Sequence, residues 1–449
     1  MVEHLFGSGE LFFSTTDAQG RIRRANSTFM RLSGYPRGAL VGRAHSVVRH
    51  DDMPAGLFRA VWEGIEEQAP VCAYITNRSA DGGHYRVFAT IVPSGGGYLS
   101  VRTLPMMTGL RDDVEQAYKR VREVERSSAR AGSSRREAAA AGQAALLREL
   151  SEMGYRDAAD FTRRVLPDEV AALLASGAAI PGVPRTRGPV AQILAAMHAI
   201  EEETAGLVGV LEEGKRLVGL LGRRAEEING LSERLGRLRQ TLRAVSGEVR
   251  ALGAGPEAEE VEERYREVDA LILECVEQLR PLRGQVEELR SDVDAVRFDI
   301  ALTRLHNLAA GTFAVQIIEG QDEVGANDAV GSLEELCTVL GEDAVRLTEQ
   351  IELLEARGEL VGGELDVVAE SLTLTHAPLM ELLGAAADAG AAQETSVRTA
   401  RSLVRDGFPE ARSLADLASS LRQVSIPYQA ERTGAHLDQV RTALAELQA

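Results

Sequence analysis

The sequence predicts two different structures in one chain. The first is an α+β domain, a five-stranded antiparallel sheet with flanking helices, and the second is an all-α, long antiparallel coiled coil or helical bundle. Eleven of the 19 aromatic residues lie before residue 106. The first 105 residues carry a formal charge of +2, whereas the rest of the chain carries −20. Apolar residues alternate in short N-terminal segments and recur at steps of three and four in long later segments, which predicts strands first and helices afterwards.

The N-terminal elements are predicted in the order two strands, short helices and three strands. The segment LFFSTTDAQGRIRRAN reads as two strands joined by a turn at Asp17 to Gly20. The segment PAGLFRAVWEGIEEQ begins a helix at Pro54. One face of that helix carries Phe58, Val61, Trp62 and Ile65. Three further strands are predicted for VCAYITNR, HYRVFATIV and GYLSVRT, so the sheet is antiparallel and helices cover one face, leaving a crevice between them.

The later part of the chain carries two heptad patterns, at 228–249 and 261–300, with Glu and Arg on the other helix faces. The stretch Gly253 to Pro256 between them predicts a turn, so the two runs fold back as an antiparallel hairpin. Because so narrow a seam buries little apolar surface, we expect a partner hairpin from a second copy, and hence a homodimer through the coiled coil. Pro281 is expected to bend the second helix, since proline removes a backbone donor.

The chain divides into four predicted segments. These are the α+β domain at 1–106, a connecting helix with a Pro/Gly-interrupted linker at 107–190, a long antiparallel helical hairpin at 191–320, and further helical bundle segments at 321–449.

The net charge of −18 argues against binding to nucleic acid or to an anionic membrane. No apolar run approaches about 18 residues, so no membrane insertion is expected.

Cysteine usage and catalytic motifs restrict the function. Cys72, Cys275 and Cys337 are far apart and form no CxxC pair, which argues against a disulfide framework and a cysteine zinc site. Three isolated cysteines are typical of a protein in a reducing compartment, so we expect a cytoplasmic protein. The sequence contains no P-loop, GxSxG or HExxH motif, so we expect no enzymatic activity.

Residues 47–54, VVRHDDMP, place four ionisable side chains between apolar residues and a proline. Arg49 can pair with phosphate oxygens through charge-assisted hydrogen bonds. His50 can donate or accept a proton, and Asp51 or Asp52 can tune its protonation. The alternative is a capped loop in which Asp52 satisfies backbone amides at the start of the next helix.

Two further residues point to a pocket. Trp62 can supply the face or edge of an aromatic ring. Asn77 shares a strand face with Val71, Ala73 and Ile75, which places an amide among apolar side chains, where it needs a partner. The alternatives are that Trp62 is ordinary core and that Asn77 bonds to neighbouring backbone.

The segments TDAQGRIRRANSTFMRLSGY, VVRHDDMP, VWEGI, TNRSADGGHYRV and YLSVRT, in this order, resemble a PAS sensor domain over about residues 8–105. Within that superfamily they are most similar to the domain of bacterial aerotaxis receptors, which carries FAD. The most specific features are RHxDMP, the tryptophan after it, and an Asn-Arg pair before a strand hairpin. The FAD-binding residues that the resemblance implies are Arg49, His50, Asp52, Trp62 and Asn77, with Asn26 and Arg78 in addition. Where the family often has a second tryptophan, this sequence has Pro70-Val71-Cys72.

The resemblance implies a redox or oxygen sensor that passes its signal to a dimeric helical bundle, as in aerotaxis and chemotaxis. A chemotaxis kinase or its coupling protein would then be the partner. The helical half resembles a chemoreceptor rod in style only, because the segment at 297–320 lacks the tip pattern rich in glutamine, threonine and asparagine. Haem is the alternative cofactor, since His45, His50 and His84 are available. The alternative function is a dimerisation or interaction scaffold without cofactor.

Overall fold

The N-terminal strands pair into one antiparallel sheet. The computed structural model describes residues 2–183, 187–253, 255–320 and 326–448. The strands are β1 (Phe12–Asp17), β2 (Ile22–Ala25), β3 (Val71–Arg78), β4 (His84–Ser94) and β5 (Gly97–Thr103). They are arranged in the order β2-β1-β5-β4-β3. Between β2 and β3 lie α1 (Ser27–Ser33), α2 (Arg37–Leu40), a 3₁₀ turn (His45–Val48) and α3 (Ala55–Glu66). The predicted PAS fold is confirmed, and β3 and β5 have the predicted bounds.

Alternation along the strands gives the sheet two distinct faces. On the inner face, Asn77 pairs with Tyr85 and Ser100 pairs with both Ser14 and Ile91. On the outer face lie residues of opposite phase, among them Phe13, Tyr74 and Phe88. The named residues of both faces are buried except Ile91, which is half-buried, so both faces of the sheet are covered.

Helices cover the outer face of the sheet. After β5 the chain forms α4 (Thr108–Arg130), α5 (Arg135–Glu152) and α6 (Ala158–Ala175). Phe161 of α6 packs against Tyr74 of β3, with ring centroids 6.3 Å apart. The helix α5 instead packs against α3, where Arg59 donates to Gln143 at 2.8 Å. The region 107–190 therefore contains three helices where the sequence predicted a connecting helix and linker, and α6 among them covers part of the apolar outer face.

The later helices are long. They are α7 (Pro189–Glu203), α8 (Leu207–Leu252), α9 (Pro256–Ile318), α10 (Ala326–Ala386), α11 (Thr395–Val404), α12 (Pro409–Arg422) and α13 (Ala430–Gln448). A π-helical turn at Ala387–Ala391 follows α10. The predicted helical bundle is confirmed. Of the predicted turn at 253–256, residue 254 lies outside the described residues. Residues 321–325, next to the predicted boundary at 320, lie outside them as well.

Contacts between α8 and α9 confirm the antiparallel hairpin. Ser246 bonds to Glu262, and Arg239 forms an ion pair with Asp269 at 2.6 Å. Farther from the turn, Arg283 donates to Asn229. The separation in sequence of the contacting residues grows with distance from the turn, as two antiparallel arms require. The helix α9 continues through Pro281 without interruption.

The chain forms two compact units. The first comprises Met1–Glu212, Ala295–Glu349 and Pro427–Ala449, and the second comprises Glu213–Asp294 and Gln350–Ile426. Within the second unit, Cys275 of α9 contacts Thr375 of α10, and the heptad residues of α8 and α9 are buried. The helix α10 of the same chain thus packs on the seam between α8 and α9. The expected pairing with a second copy of the chain stays a prediction. Within the described ranges, no helix is both long enough and apolar enough to cross a membrane.

Candidate functional site

A cavity of about 240 Å³ lies between the inner face of the sheet and α3. All five strands except β2 line it together with α3 and the loop before α3. The lining residues are Thr16, Gln19, Gly20, Ala44, His45, Ser46, Arg49, Phe58, Val61, Trp62, Ile65, Ile75, Asn77, Ala89, Ile91, Tyr98, Ser100 and Arg102. Gln19, Ala44 and Ser46 are exposed, so the cavity opens between the β1–β2 turn and the 3₁₀ turn.

The helix α3 supplies the aromatic wall. Its predicted apolar face, Phe58 to Ile65, lines the cavity. The Trp62 ring meets Tyr98 of β5 edge to face, with centroids 5.8 Å apart. Gly20 closes against the same ring: a Cβ at this position would lie 2.7 Å from Trp62, and φ is +71°. Only glycine fits this close approach without strain.

The loop VVRHDDMP lies against the edge of the sheet. Arg49 forms an antiparallel backbone bridge with Asn77 of β3. The guanidinium of Arg49 lies 4.1 Å from the centre of the Phe58 ring and donates to the carbonyl oxygen of Met53 at 2.8 Å. Burial lowers the pKa of Arg49. Its side chain therefore brings a partly desolvated cation to the cavity wall.

Two buried polar groups on the cavity wall have no partner. The side-chain amide nitrogen of Asn77 and the hydroxyl of Ser100 are buried and lack a hydrogen bond to the described residues. Asn77 is only 3% exposed. A buried amide without a hydrogen bond costs free energy, so these two groups are free to bond a water molecule or a ligand in the cavity.

The sequence did not single out Arg102, which is 3% exposed. It donates to the Ser14 hydroxyl at 3.1 Å, to the Ser100 carbonyl at 3.2 Å and to His45 Nε2 at 2.6 Å. Its guanidinium lies 5.1 Å from the centre of the Phe29 ring. Burial lowers its pKa to about 10. No carboxylate of the described residues forms an ion pair with it, so a buried positive charge faces the cavity.

His45 completes the wall beside Arg102. Its ring stacks on Phe29 at 5.7 Å between centroids. Burial, reinforced by the charge of Arg102, lowers the pKa of His45 to about 3. The imidazole is therefore neutral near neutral pH, and its Nε2 accepts from Arg102. The pattern that could have revealed this pair is the alternation of Tyr98, Ser100 and Arg102 along β5, which puts an arginine on an inner sheet face.

Three predicted site residues lie elsewhere. His50, Asp52 and Arg78 line a separate surface groove beside Tyr35 and Ser79. His50 Nδ1 accepts the backbone N–H of Asp52 at 3.2 Å, and Arg78 donates to the Val47 carbonyl. These contacts hold the loop on the strand edge. Whether the three residues also contact a cofactor stays a prediction.

Asn26 does not line the cavity either. Its side-chain oxygen accepts the N–H groups of Phe13 and Phe29, so it caps α1 and ties that helix to β1. Its amide also donates to Gln316 of α9 at 3.3 Å. Asn26 therefore connects the sheet to a helix of the same compact unit.

Hydrogen bonds of Glu169 join the outer face of the sheet to the helices α4 and α6. The Tyr74 hydroxyl of β3 donates to Glu169 of α6 at 2.6 Å. The Glu169 carboxylate also accepts the N–H groups of Met106 and Met107 at 2.7 and 3.0 Å, at the start of α4. Burial raises the pKa of Glu169. One buried carboxylate thus joins β3, α4 and α6.

The helix α9 also packs directly on β1. The rings of Phe13 and Phe313 meet edge to face, with centroids 4.8 Å apart. Arg24 of β2 forms an ion pair with Glu335 of α10. Ser14 lies on the inner face and accepts from the cavity residue Arg102, whereas Phe13 faces α9, so consecutive residues of one strand contact the two sides.

The lining fits a planar, hydrogen-bonding ring with a negative charge. Trp62, Tyr98 and Phe58 supply aromatic surface, Asn77 and Ser100 supply unpaired polar groups, and Arg49 and Arg102 supply positive charge. The volume is slightly below the roughly 300–1,000 Å³ of typical small-molecule sites. The cavity is therefore large enough for about one ring system.

Comparison with known proteins finds two partial matches. Over 95 residues, the chain is 41% identical to the aerotaxis receptor of Escherichia coli (strain K12), which covers 20% of this chain and 19% of that receptor. Over 80 residues, it is 29% identical to the nitrogen fixation regulatory protein of Klebsiella pneumoniae, which covers 18% and 16%. The N-terminal domain has the PAS fold and a length close to these matches.

The similarity is limited to part of the chain. The chain spans less than a fifth of the length of these curated relatives. No family model matches it. The matched lengths are close to that of the PAS domain alone, so a role for the long helices has to be argued from their own residues.

Proposed function

We propose that the PAS domain binds a flavin in the cavity under α3 and that the chain is a redox or oxygen sensor. The observation that carries this proposal is the unpaired, buried amide of Asn77 on the wall of an aromatic-lined cavity. Similarity to an aerotaxis receptor supports the same class of function. A chemotaxis kinase or its coupling protein is the class of partner that this similarity suggests.

The cavity residues would divide the binding of a flavin among them. Trp62 and Phe58 would bury the ring, because aromatic surface gains from stacking and from removal of water. Asn77 and Ser100 would bond its polar edge. Arg49 and Arg102 would stabilise negative charge on the ring or its phosphates. A bound flavin supplies reversible electron transfer coupled to a change in protonation and hydrogen bonding.

The sheet offers a short route from the cavity to the helices. Asn77 faces the cavity, and Tyr74 on the same strand bonds to Glu169, which fixes the start of α4. A change in the hydrogen bonding of Asn77 would shift β3 and alter this bond. A ligand shifts a conformational equilibrium only by its difference in affinity for the two states, so the two redox forms must bond Asn77 differently.

Haem is less well supported by the same residues. His45 lines the cavity, but its Nε2 accepts from Arg102 at 2.6 Å. Coordination of iron by that nitrogen would require the bond to break and would leave a second positive charge beside a buried arginine. His50 and His84 are absent from the cavity lining.

A scaffold without cofactor is the competing function, and the cavity weighs against it. A PAS fold used only for docking has no need of unpaired polar groups around an internal space, because each costs stability. The visible absorption spectrum of the purified protein distinguishes the three functions. Oxidised-flavin bands, retained on gel filtration, support the proposal. A Soret band, or a colourless protein that takes up no added flavin, contradicts it.

A further inference from the structure

One face of α10 carries an apolar stripe, formed by Leu353, Leu360, Val367 and Leu374. These residues follow one another at steps of seven and are between 40% and 61% exposed. All four belong to the second compact unit. Isolated apolar residues on a surface are normal, but a stripe over four heptads on one helix is typical of a coiled-coil seam.

The stripe lies opposite the buried face of the same helix. Val361, Leu365, Val368 and Leu372 are at most 1% exposed and form the inward face. The residues that follow each stripe residue by three positions are exposed as well. These are Ala356, Gly363, Glu370 and Ala377. The stripe residues occupy position a, and the residues three positions later occupy position d, of a second heptad pattern that faces outward.

We propose that this face of α10 pairs with the same face of a second copy of the chain, with the two helices antiparallel about a two-fold axis at the level of Leu365. In this arrangement Leu353 of each copy lies opposite Ala377 of the other. Val367 lies opposite Gly363, and Leu374 lies opposite Ala356. In these three layers a large side chain meets a small one, and in the fourth layer Leu360 lies opposite Glu370 of the other copy, so the helices approach most closely at the three large-small layers.

Charges at the axis favour the same arrangement. Asp366 flanks the stripe and forms an ion pair with Arg422 of α12, and both side chains are 40% or more exposed. The axis brings the two Asp366 carboxylates together with both Arg422 guanidinium groups, so two acids meet two bases. A parallel pair would place Glu370 against its own copy in the seam, and like charges there are destabilising.

Other occupants fit this face less well. Glu352, Glu355 and Glu359 stand beside the stripe and are exposed. Their negative charge disfavours an anionic lipid surface or a nucleic acid. A second copy supplies both the small residues opposite the large ones and the arginine opposite the aspartate.

The first test is the mass of the full chain in solution, measured by sedimentation equilibrium. A single chain weighs 48.3 kDa, and we expect twice that mass at micromolar concentration. Leu360→Glu should raise the dissociation constant of the dimer at least about tenfold, because it adds charge to the seam. The control is Leu252→Glu, since Leu252 is 55% exposed against 58% for Leu360 but lies outside the stripe. A monomeric wild type, or a dimer unaffected by Leu360→Glu, would overturn the proposal.

The second test fixes the direction of pairing with cysteines. The native Cys72, Cys275 and Cys337 are buried, so introduced cysteines dominate the reaction. A mixture of Ala356→Cys and Leu374→Cys chains should form a disulfide-linked dimer under mild oxidation. Leu374→Cys alone should not, because the two copies of that residue would lie about 27 Å apart at roughly 1.5 Å of rise per residue. Cross-linking of Leu374→Cys with itself would contradict the antiparallel pairing.

Discussion

Asn77 and Arg102 differ in how readily the sequence reveals them. Asn77 interrupts a run of apolar residues on one strand face, so its position in a pocket follows from alternation alone. Arg102 lies on the same face of β5 as Ser100 and Tyr98. Its burial is hard to predict, because arginine is usually exposed and β5 carries other polar residues. Its environment depends on Phe12, Phe29 and His45, which come from distant segments.

Asn77→Ala is expected to weaken flavin binding without unfolding the protein. The loss of one hydrogen bond in a buried site costs about 1–3 kcal/mol, which corresponds to roughly a 5- to 150-fold increase in the dissociation constant. Isothermal titration of cofactor-free protein with FAD measures the change. Asn229→Ala on α8 is the matched control, and equal affinities for both variants would contradict a role for Asn77.

His45 is expected to make the stability of the PAS domain depend on pH. Its pKa is about 3 in the folded protein and about 6.5 when unfolded, so the unfolded state binds more protons between these values. Stability should therefore fall as the pH drops from 6.5 toward 3, by at most about 1.4 kcal/mol per pH unit. His45→Gln should remove this component. Urea unfolding at pH 7 and pH 5 checks it through the fluorescence of Trp62, the only tryptophan. An unchanged pH dependence in His45→Gln would exclude this assignment.

At the level of elements, β3 contacts both the cavity and the helices. Its inner residues line the cavity, while the Tyr74 hydroxyl on its outer face reaches Glu169. The same carboxylate holds the first backbone amides before α4. We therefore expect a shift of β3 to reach the start of α4 through this carboxylate.

Glu169→Ala is expected to destabilise the first compact unit by roughly 3 kcal/mol, because it leaves the Tyr74 hydroxyl and two backbone N–H groups without their partner. Tyr74→Phe removes one of these bonds and should cost about 1 kcal/mol. Urea unfolding followed by Trp62 fluorescence gives both values. If Glu169→Ala costs no more than an exposed control such as Glu123→Ala, the carboxylate does not join these elements.

For the whole molecule, the sequence predicts the elements better than their packing. The strands of the PAS domain follow from alternation and turn residues, and the α8–α9 hairpin follows from its heptads. The helices α4 to α6 were less evident because α5 is rich in alanine and carries little apolar periodicity. That α10 covers the heptad seam could not be predicted, since one apolar stripe does not specify which helix it packs against.

The most direct measurement is a fluorescence titration of cofactor-free protein with FAD. Trp62 is the single tryptophan and lies in the cavity wall, so it reports on this site alone. We predict strong, saturable quenching with one flavin per chain, which Asn77→Ala shifts to higher concentration. Unchanged Trp62 emission at saturating FAD would contradict a flavin site in the PAS cavity.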